Sequence, residues 1–252
     1  MAEINGTKGG PCGGSSAGEE RTLQLRVLEA LTTAENYNRW IADLALPFLG
    51  HDPLEIGSGL GEFASLWLSS GVDRITVSEL DRAGVTELQA RFAGDPRVEA
   101  AEIDITGASR VARAFSSVVA INVLEHVRDD VAALREARAL LEAGGFLILF
   151  VPAHGWAMST FDRAIGHWRR YTIGSLRGTI EAAGLNVDTI RYVNAPGLLA
   201  WFVGMKLLRR TPTDVGAVHL YDRFVVPVTR RVERRVTPPF GQSLFAVGRA
   251  PR

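Results

Sequence analysis

The chain has 252 residues, 46% of them apolar, with 28 basic and 28 acidic side chains. That length fits one large α/β domain or one domain with an added cap. A formal net charge of +0 argues against nucleic acid as the main partner, since phosphate binding leaves a basic excess. The single cysteine, Cys12, excludes a disulfide framework within the chain and a zinc cluster built on thiolates. It fits a reducing cytoplasm, and no metal centre is expected.

Residues 1–20, "MAEINGTKGGPCGGSSAGEE", lack the basic and apolar regions of a signal peptide. With almost no large apolar groups to offset ordering entropy, they read as a disordered leader. From Arg21 to Leu49 apolar residues recur at helical spacing, Leu23, Val27 and Leu31, then Trp40, Ile41 and Leu44. Pro47 and Gly50 close the second helix. "LEIG" is a short strand entering a glycine turn, and "EFASLWLSSG" is a helix ended by Gly71. "RITVSEL", "VEAAEIDI", "SSVVAINV" and "FLILFVPA" read as further strands, separated by helices over "AGVTELQARFAG" and "DDVAALREARALLEAGG". The continuous apolar run in "FLILFVPA" suits a strand buried on both faces. This alternation predicts βαβ units and a parallel, doubly wound sheet.

After Ala153 the pattern becomes polar and aromatic, "HGWAMSTFDRAIGHWRRYT", before a helix over "IGSLRGTIEAAG" and a strand over "LNVDTIRYVNA". A last strand over "QSLFAVGRA" follows an insertion at 196–239. The expected organisation is one domain over 21–252, with a core at 37–195, a cap at 196–239 and the last strand within 240–250. No run of about 20 apolar residues exists to cross a bilayer.

Gly57, Gly59 and Gly61 sit where the first strand meets a helix. Glycines permit the tight turn and a close approach of ligand to backbone N–H groups, and the helix N-terminus behind favours polar acceptors. The dinucleotide fingerprint wants a glycine where this chain has Glu62, which weighs against a nicotinamide-dependent oxidoreductase. Glu79, Asp104 and Asn122 lie at the ends of the next three strands. Glu79 suits ribose hydroxyls and Asp104 an exocyclic adenine amine, unless Asp104 serves as an Asx turn. Polar groups at successive strand ends beside a glycine turn make a nucleoside pocket the default expectation.

"LEIGSGLGEF", "VSELD", "EIDI", "NVLEHVRDD" and "LLEAGGFLILFVPA", in that order, resemble the class I S-adenosylmethionine-dependent methyltransferases. The resemblance spans about residues 37–195 and implies a Rossmann-like seven-stranded sheet, parallel except for the last strand. It implies S-adenosyl-L-methionine as cofactor. Glu55 would orient the turn, Gly57, Ser58, Gly59 and Gly61 would shape the methionine site, and Glu79 with Leu80 would take the ribose. Asp104 and Ile105 would flank the adenine, while Asn122, Val123, Leu124 and His126 would lie by the sulfonium. Tyr37, in a lead-in helix "ENYNRWI", is a candidate to close over the cofactor, with core packing as its other reading.

Methyl transfer needs alignment, exclusion of water and sometimes a base. His154 and His167 are the candidate bases, Asp162 a group to orient one of them, and Tyr171 a further catalytic candidate. Trp156, Arg169 and Arg170 are candidates for the acceptor, the arginines for an anionic one, although the arginines and Tyr171 also suit a loop held by salt bridges. His51 and His219 are expected at the surface.

The apolar, arginine-flanked insertion reads either as a packed cap, which also serves as lid or homodimer contact, or as an element meeting a membrane or lipid-linked acceptor. The cap is the preferred reading. Pro227 is expected to kink or restart its second helix. The expected activity is methylation of O or N on a small-molecule acceptor, a sugar, secondary metabolite or lipid-linked compound. The alternatives are a non-enzymatic S-adenosylmethionine-binding protein and, less favoured, the oxidoreductase. Asn122-Val123-Leu124-Glu125 is not the motif of base-amino methyltransferases, so nucleic acid is not expected as substrate.

Overall fold

The computed structural model describes residues 33–202 and 215–252. The leader, Cys12 and the helix expected over Leu23, Val27 and Leu31 lie outside the described residues, as does the middle of the insertion.

Seven strands form one sheet: β1 (Pro53–Ile56), β2 (Ile75–Glu79), β3 (Val98–Glu102), β4 (Phe115–Ile121), β5 (Leu141–Pro152), β6 (Asn186–Val193) and β7 (Ser243–Arg249). Their order is β3-β2-β1-β4-β5-β7-β6. β1 pairs in parallel with β2 and β4, whereas β7 runs antiparallel between β5 and β6. This is the expected doubly wound sheet with its last strand reversed.

Helices cover both faces. On one side α1 (Glu35–Ala45) and α2 (Glu62–Ser69) bring Trp40, Ile41 and Trp67 onto Val77, Val119, Phe150 and Phe245. On the other, α4 (Asp130–Ala139) and α6 (Ile173–Ala182) bury Leu134, Ala137, Leu176 and Ile180 against Val118, Leu147 and Leu149. α3 (Arg82–Arg91) supports the β2–β3 edge. Successive β4 and β5 residues enter opposite cores, so both strands read as unbroken apolar runs. Trp67, 0% exposed, places its indole N–H on the Ala42 carbonyl at 3.0 Å, which satisfies the one polar atom of a large buried ring.

The helix expected over "DDVAALREARALLEAGG" stops at Ala139, and its glycine pair lies inside β5. Gly144 takes a positive φ of 76° there, and a Cβ on Gly145 would meet the Glu142 and Ser116 carbonyls at 3.0 Å. The pair thus bends an entering strand instead of ending a helix. The short α5 (Thr160–Ala164) and α7 (Ala195–Trp201) flank the loop and the insertion, and α8 (Val215–Glu233) closes the latter. Pro227 lies inside α8, which is neither interrupted nor restarted. The ring removes one intrahelical donor, and the Thr229 hydroxyl donates to the Val225 carbonyl one turn back at 2.9 Å.

The inner face of α8, Asp222, Val226, Thr229 and Glu233, is buried. Ala34 at the N-cap of α1 supplies no capping side chain. Asp222 does so from 186 residues away: its carboxylate accepts from the Asn36 amide at 3.0 Å, the Asn36 side chain at 3.1 Å and the Tyr37 amide at 2.8 Å. A carboxylate on the first helical N–H groups is also favoured by the helix dipole.

Replacing Asp222 with Ala is expected to cost about 1–2 kcal/mol of stability in denaturant unfolding, with faster amide exchange in α1, and Asp222→Asn is expected to cost less. Unchanged exchange at Asn36 and Tyr37 would contradict this cap.

Candidate functional site

The site lies at the C-terminal edge of the parallel strands. Gly57, Gly59 and Gly61 all have left-handed φ, at 68°, 55° and 80°, a conformation that costs L-residues with a Cβ. At Gly57 a Cβ would stand 2.7 Å from Val123 Cγ2, so this glycine is fixed by close approach to the loop after β4 as well as by φ. Ser58 stitches the turn to β2: its amide donates to the Ser78 carbonyl at 2.8 Å, and its hydroxyl accepts from the Ser78 amide at 3.1 Å.

Two carboxylates frame the turn. Glu79 Oε1 accepts from the Gly59 amide at 2.5 Å and Oε2 from the Leu80 amide at 3.3 Å. Burial raises its pKa, partly opposed by these two bonds. Glu79 therefore braces the turn as well as facing the crevice. Glu55 is 2% exposed, and its Oε2 has no hydrogen-bond partner. Burial, partly opposed by the Ser58 hydroxyl and reinforced by nearby Glu79, pushes it up to about 8. A buried, unpartnered carboxylate oxygen behind a glycine turn is complementary to a cationic group on a ligand.

Beyond the next two strands the groups divide. Asp104 is exposed and forms the Asx turn, its Oδ1 accepting from the Thr106 amide at 2.8 Å, while Leu80 is 64% exposed. Asn122 is exposed with φ 54°, and its amide donates to the Phe150 carbonyl at 2.8 Å. Ile105 and Leu124 are buried in the core on one face of the sheet and form floor, not open ligand surface. Tyr37 packs edge-on against Trp40 and Phe150 with centroids 6.4 and 6.3 Å away. Burial pushes its hydroxyl up to about 12, with hydrogen bonds to Ser243 and Asn194 opposing. That hydroxyl belongs to the junction of α1, α8 and β7, which agrees with core packing.

The loop after β5 assembles around Asp162. Its carboxylate accepts from the Ser159 amide at 2.7 Å and hydroxyl at 2.6 Å, contacts His167 Nδ1 at 3.1 Å and pairs with Arg170 at 2.7 Å. Burial opposes its ionisation, but the His167 and Ser159 hydrogen bonds and the Arg170 charge together hold it well below the usual carboxylate range. Asp162 thus orients His167, as the spacing allowed. The same contacts correct the acceptor-binding role expected of the arginines. Arg170 is nearly buried and also covers the Trp201 ring at 4.7 Å. Arg169 pairs with Asp130 at 2.8 Å and donates to the Arg128 carbonyl. Tyr171 is corrected likewise: it is 2% exposed, and its hydroxyl donates to Asp130 Oδ2 at 2.9 Å. Burial and the Asp130 charge raise its pKa far above that of an ordinary phenol, which suits a brace and not a proton donor.

His154, directly after β5, has φ 65°. Its ring stacks on Tyr192 at 4.9 Å and neighbours Trp156 at 5.4 Å. Burial lowers its pKa, opposed by a bond to Gly241, and its Nε2 is buried without a partner, which leaves one ring nitrogen free. Trp156 is 59% exposed and forms an aromatic rim with Phe202 at 6.4 Å.

His126 lies 4.6 Å from the His167 ring; burial and the neighbouring His167 push it down to about 4. Glu125 drew no role from its sequence context. It is 0% exposed, neither carboxylate oxygen has a partner, and burial pushes it up to about 8. Its signal was a lone acid between Leu124 and His126 in an otherwise apolar run. His51 is exposed, as is His219.

Residues 30–190 match the protein family described as a methyltransferase domain. Over 152 residues the chain is 30% identical to a ubiquinone biosynthesis O-methyltransferase of Paracidovorax citrulli, across 58% of this chain and 61% of the relative. The chain thus covers less than two thirds of that relative's length. Among solved structures, a chain from the complex of the Haloferax volcanii Trm112 methyltransferase activator with a methyltransferase is similar at TM-score 0.63 and 18% identity. That match takes in 94% of this chain and 98% of the other. The N-methyltransferase NodS of Bradyrhizobium japonicum WM9, in complex with S-adenosyl-L-homocysteine, is similar at TM-score 0.50 and 16% identity over 80% of this chain and 78% of its own. These structural likenesses speak for the fold, while the family match covers more than half of the chain and includes the glycine turn and every strand end of the crevice. The chain belongs to the methyltransferase domain family, the class I S-adenosylmethionine-dependent methyltransferases.

Proposed function

We propose that the protein methylates an oxygen or nitrogen of a small-molecule acceptor in the cytoplasm, with S-adenosyl-L-methionine as donor. The observation that carries this reading is Glu55 Oε2, a buried oxygen without a partner, set behind three glycines of left-handed φ. The methionine end of the cofactor brings an ammonium that this oxygen suits, and a dinucleotide does not. Glu62, where the dinucleotide motif expects glycine, pairs with Arg91 at 2.8 Å in the first turn of α2. When bound, the cofactor supplies a methyl group made electrophilic by a sulfonium.

The chain's own part is positioning. Glu79 holds the turn through Gly59 and presents its outer edge to the ribose hydroxyls. Asp104 Oδ2 and Leu80 border the adenine. The Asn122 loop borders the reactive end. His154, with a free Nε2, is the group we assign to accept the acceptor's proton, and Trp156 to pack on the acceptor. Exclusion of water by the aromatic rim favours alignment and displacement alike.

The outer face of α8 supports a lipid-linked acceptor or peripheral membrane contact within this reading. Leu220, Phe224, Val228 and Val232 are 62%, 62%, 60% and 55% exposed, at helical spacing of four, with exposed Arg223, Arg231, Arg234 and Arg235 alongside. No helix among the described residues is long and apolar enough to cross a membrane. An amphipathic helix with basic flanks suits an anionic surface, while its opposite face packs on the domain.

S-adenosylhomocysteine is expected to raise the melting temperature of the wild type, and Glu79→Ala to weaken its binding about tenfold or more, about 1.4 kcal/mol. Stabilisation by NAD(H) in its place would overturn the cofactor assignment. Because the folded-state pKa of Glu55 is raised, the folded chain holds a proton that the unfolded chain releases between about pH 4.5 and 8, and this contribution to stability declines as pH rises through that window. Binding of an ammonium ligand near pH 7 should therefore expel a proton. Calorimetry of S-adenosylhomocysteine binding in two buffers of different ionisation enthalpy should reveal that release in wild type and its loss in Glu55→Gln; equal proton counts would remove Glu55 from the site. Vesicles containing anionic lipid are expected to co-sediment the protein more strongly than neutral vesicles, with Phe224→Asp reducing binding several-fold. Indifference to both vesicle types would end the membrane reading.

A further inference from the structure

We propose that Glu125, His126 and His167 form a binding site for a divalent transition-metal ion beside the acceptor end of the crevice. One ligand atom from each residue lies within 4.8 Å of the others. Ligand atoms around a tetrahedral zinc stand about 3.4 Å apart, given bonds of about 2.0–2.2 Å, so small rotations of the side chains close the set. The grouping joins the loop after β4 to the loop after β5, and is therefore invisible as a sequence spacing.

Three features single it out from an incidental cluster. First, Glu125 is 0% exposed, and both of its carboxylate oxygens lack hydrogen-bond partners. A buried acid in that condition is costly unless a cation or donor completes it. Second, each imidazole has one nitrogen engaged by the protein. His167 Nδ1 is held at 3.1 Å by Asp162, which leaves Nε2 facing Glu125 Oε1 at 3.9 Å. His126 is bonded to the Gly166 backbone, which leaves its other nitrogen. A carboxylate or carbonyl behind the ring is the outer-shell arrangement that fixes a metal-binding histidine. Third, the nearby positive charge is spent elsewhere: Arg170 bonds Asp162 through Nε at 2.9 Å and Nη2 at 2.7 Å, so it does not satisfy Glu125.

Two imidazoles and one carboxylate suit zinc and neighbouring first-row ions and leave positions open. At the mouth lined by the 154–171 loop, such an ion would accept an acceptor oxygen and favour its ionised form. That role rests on the methyl-transfer reading; the binding site does not.

The test uses the full chain, stripped with chelator and titrated with zinc(II) by calorimetry, with cobalt(II) absorption as a second readout. Wild type is expected to bind one equivalent. Glu125→Gln and His167→Gln should weaken binding at least tenfold, and Asp162→Asn about 10–100-fold. His167 lies in the loop after β5, outside both hydrophobic cores, and is the variant least disturbing to them; its S-adenosylhomocysteine binding, measured on the same sample, should match wild type. Absence of stoichiometric zinc in wild type, or unchanged affinity and cobalt spectrum in His167→Gln, would overturn the site. Failure of S-adenosylhomocysteine binding with zinc binding intact would instead overturn the cofactor reading alone.

Discussion

The parallel pairing of β1 with both β2 and β4 is the constraint on which the rest of this molecule depends. Ile56 stands opposite Ser78 on one side and Ala120 on the other, so the three strands end almost level. Whatever follows each strand must then occupy the same edge. Gly57, Glu79 and Asn122 meet there for that reason, and the Glu79 carboxylate reaches across one strand spacing to the Gly59 amide. The level ends also bring Val123 against Gly57. A Cβ at Gly57 would force the loops apart, so the glycine requirement is set by the sheet as well as by the turn.

Asp162 performs a comparable task for the irregular segment after β5. That segment has little regular hydrogen bonding of its own, yet Ser159, His167 and Arg170 all converge on one carboxylate. Asp130 adds a second anchor through Tyr171 and Arg169. The acids therefore convert a polar loop into a fixed wall and leave His154 and Trp156 as its groups without such ties. A stretch crowded with chemically versatile residues thus divides into scaffold and working surface, according to which side chains find an acid.

The sheet and the glycine turn were legible because their causes are local. Alternation of apolar runs with amphipathic stretches fixes βαβ units, and only glycine adopts those φ values without strain. The strand-end acids were legible for the same reason, as position on a strand implies position at an edge. Arg169, Arg170 and Tyr171 read both as acceptor or catalytic groups and as a loop held by salt bridges, because their partners Asp130 and Asp162 are set by tertiary packing, and an arginine that will be paired reads the same as one that will be free. Glu125 was passed over because a lone acid in a short apolar run reads the same whether it turns to solvent or, as here, is buried without a partner. The glycine pair at 144–145 misled for a further reason: glycine ends helices and bends strands with equal ease.

One contact reaches past the recognised family boundary. The family match ends at residue 190, yet the donors at the start of α1 are satisfied by Asp222, on a helix after that limit. The segment that identifies the family and the segment that completes the fold are therefore different lengths of chain. During synthesis α1 emerges early but lacks its terminal partner until α8 has followed it. The cap insertion, which any comparison restricted to the shared core would treat as an ornament, is the element that closes α1.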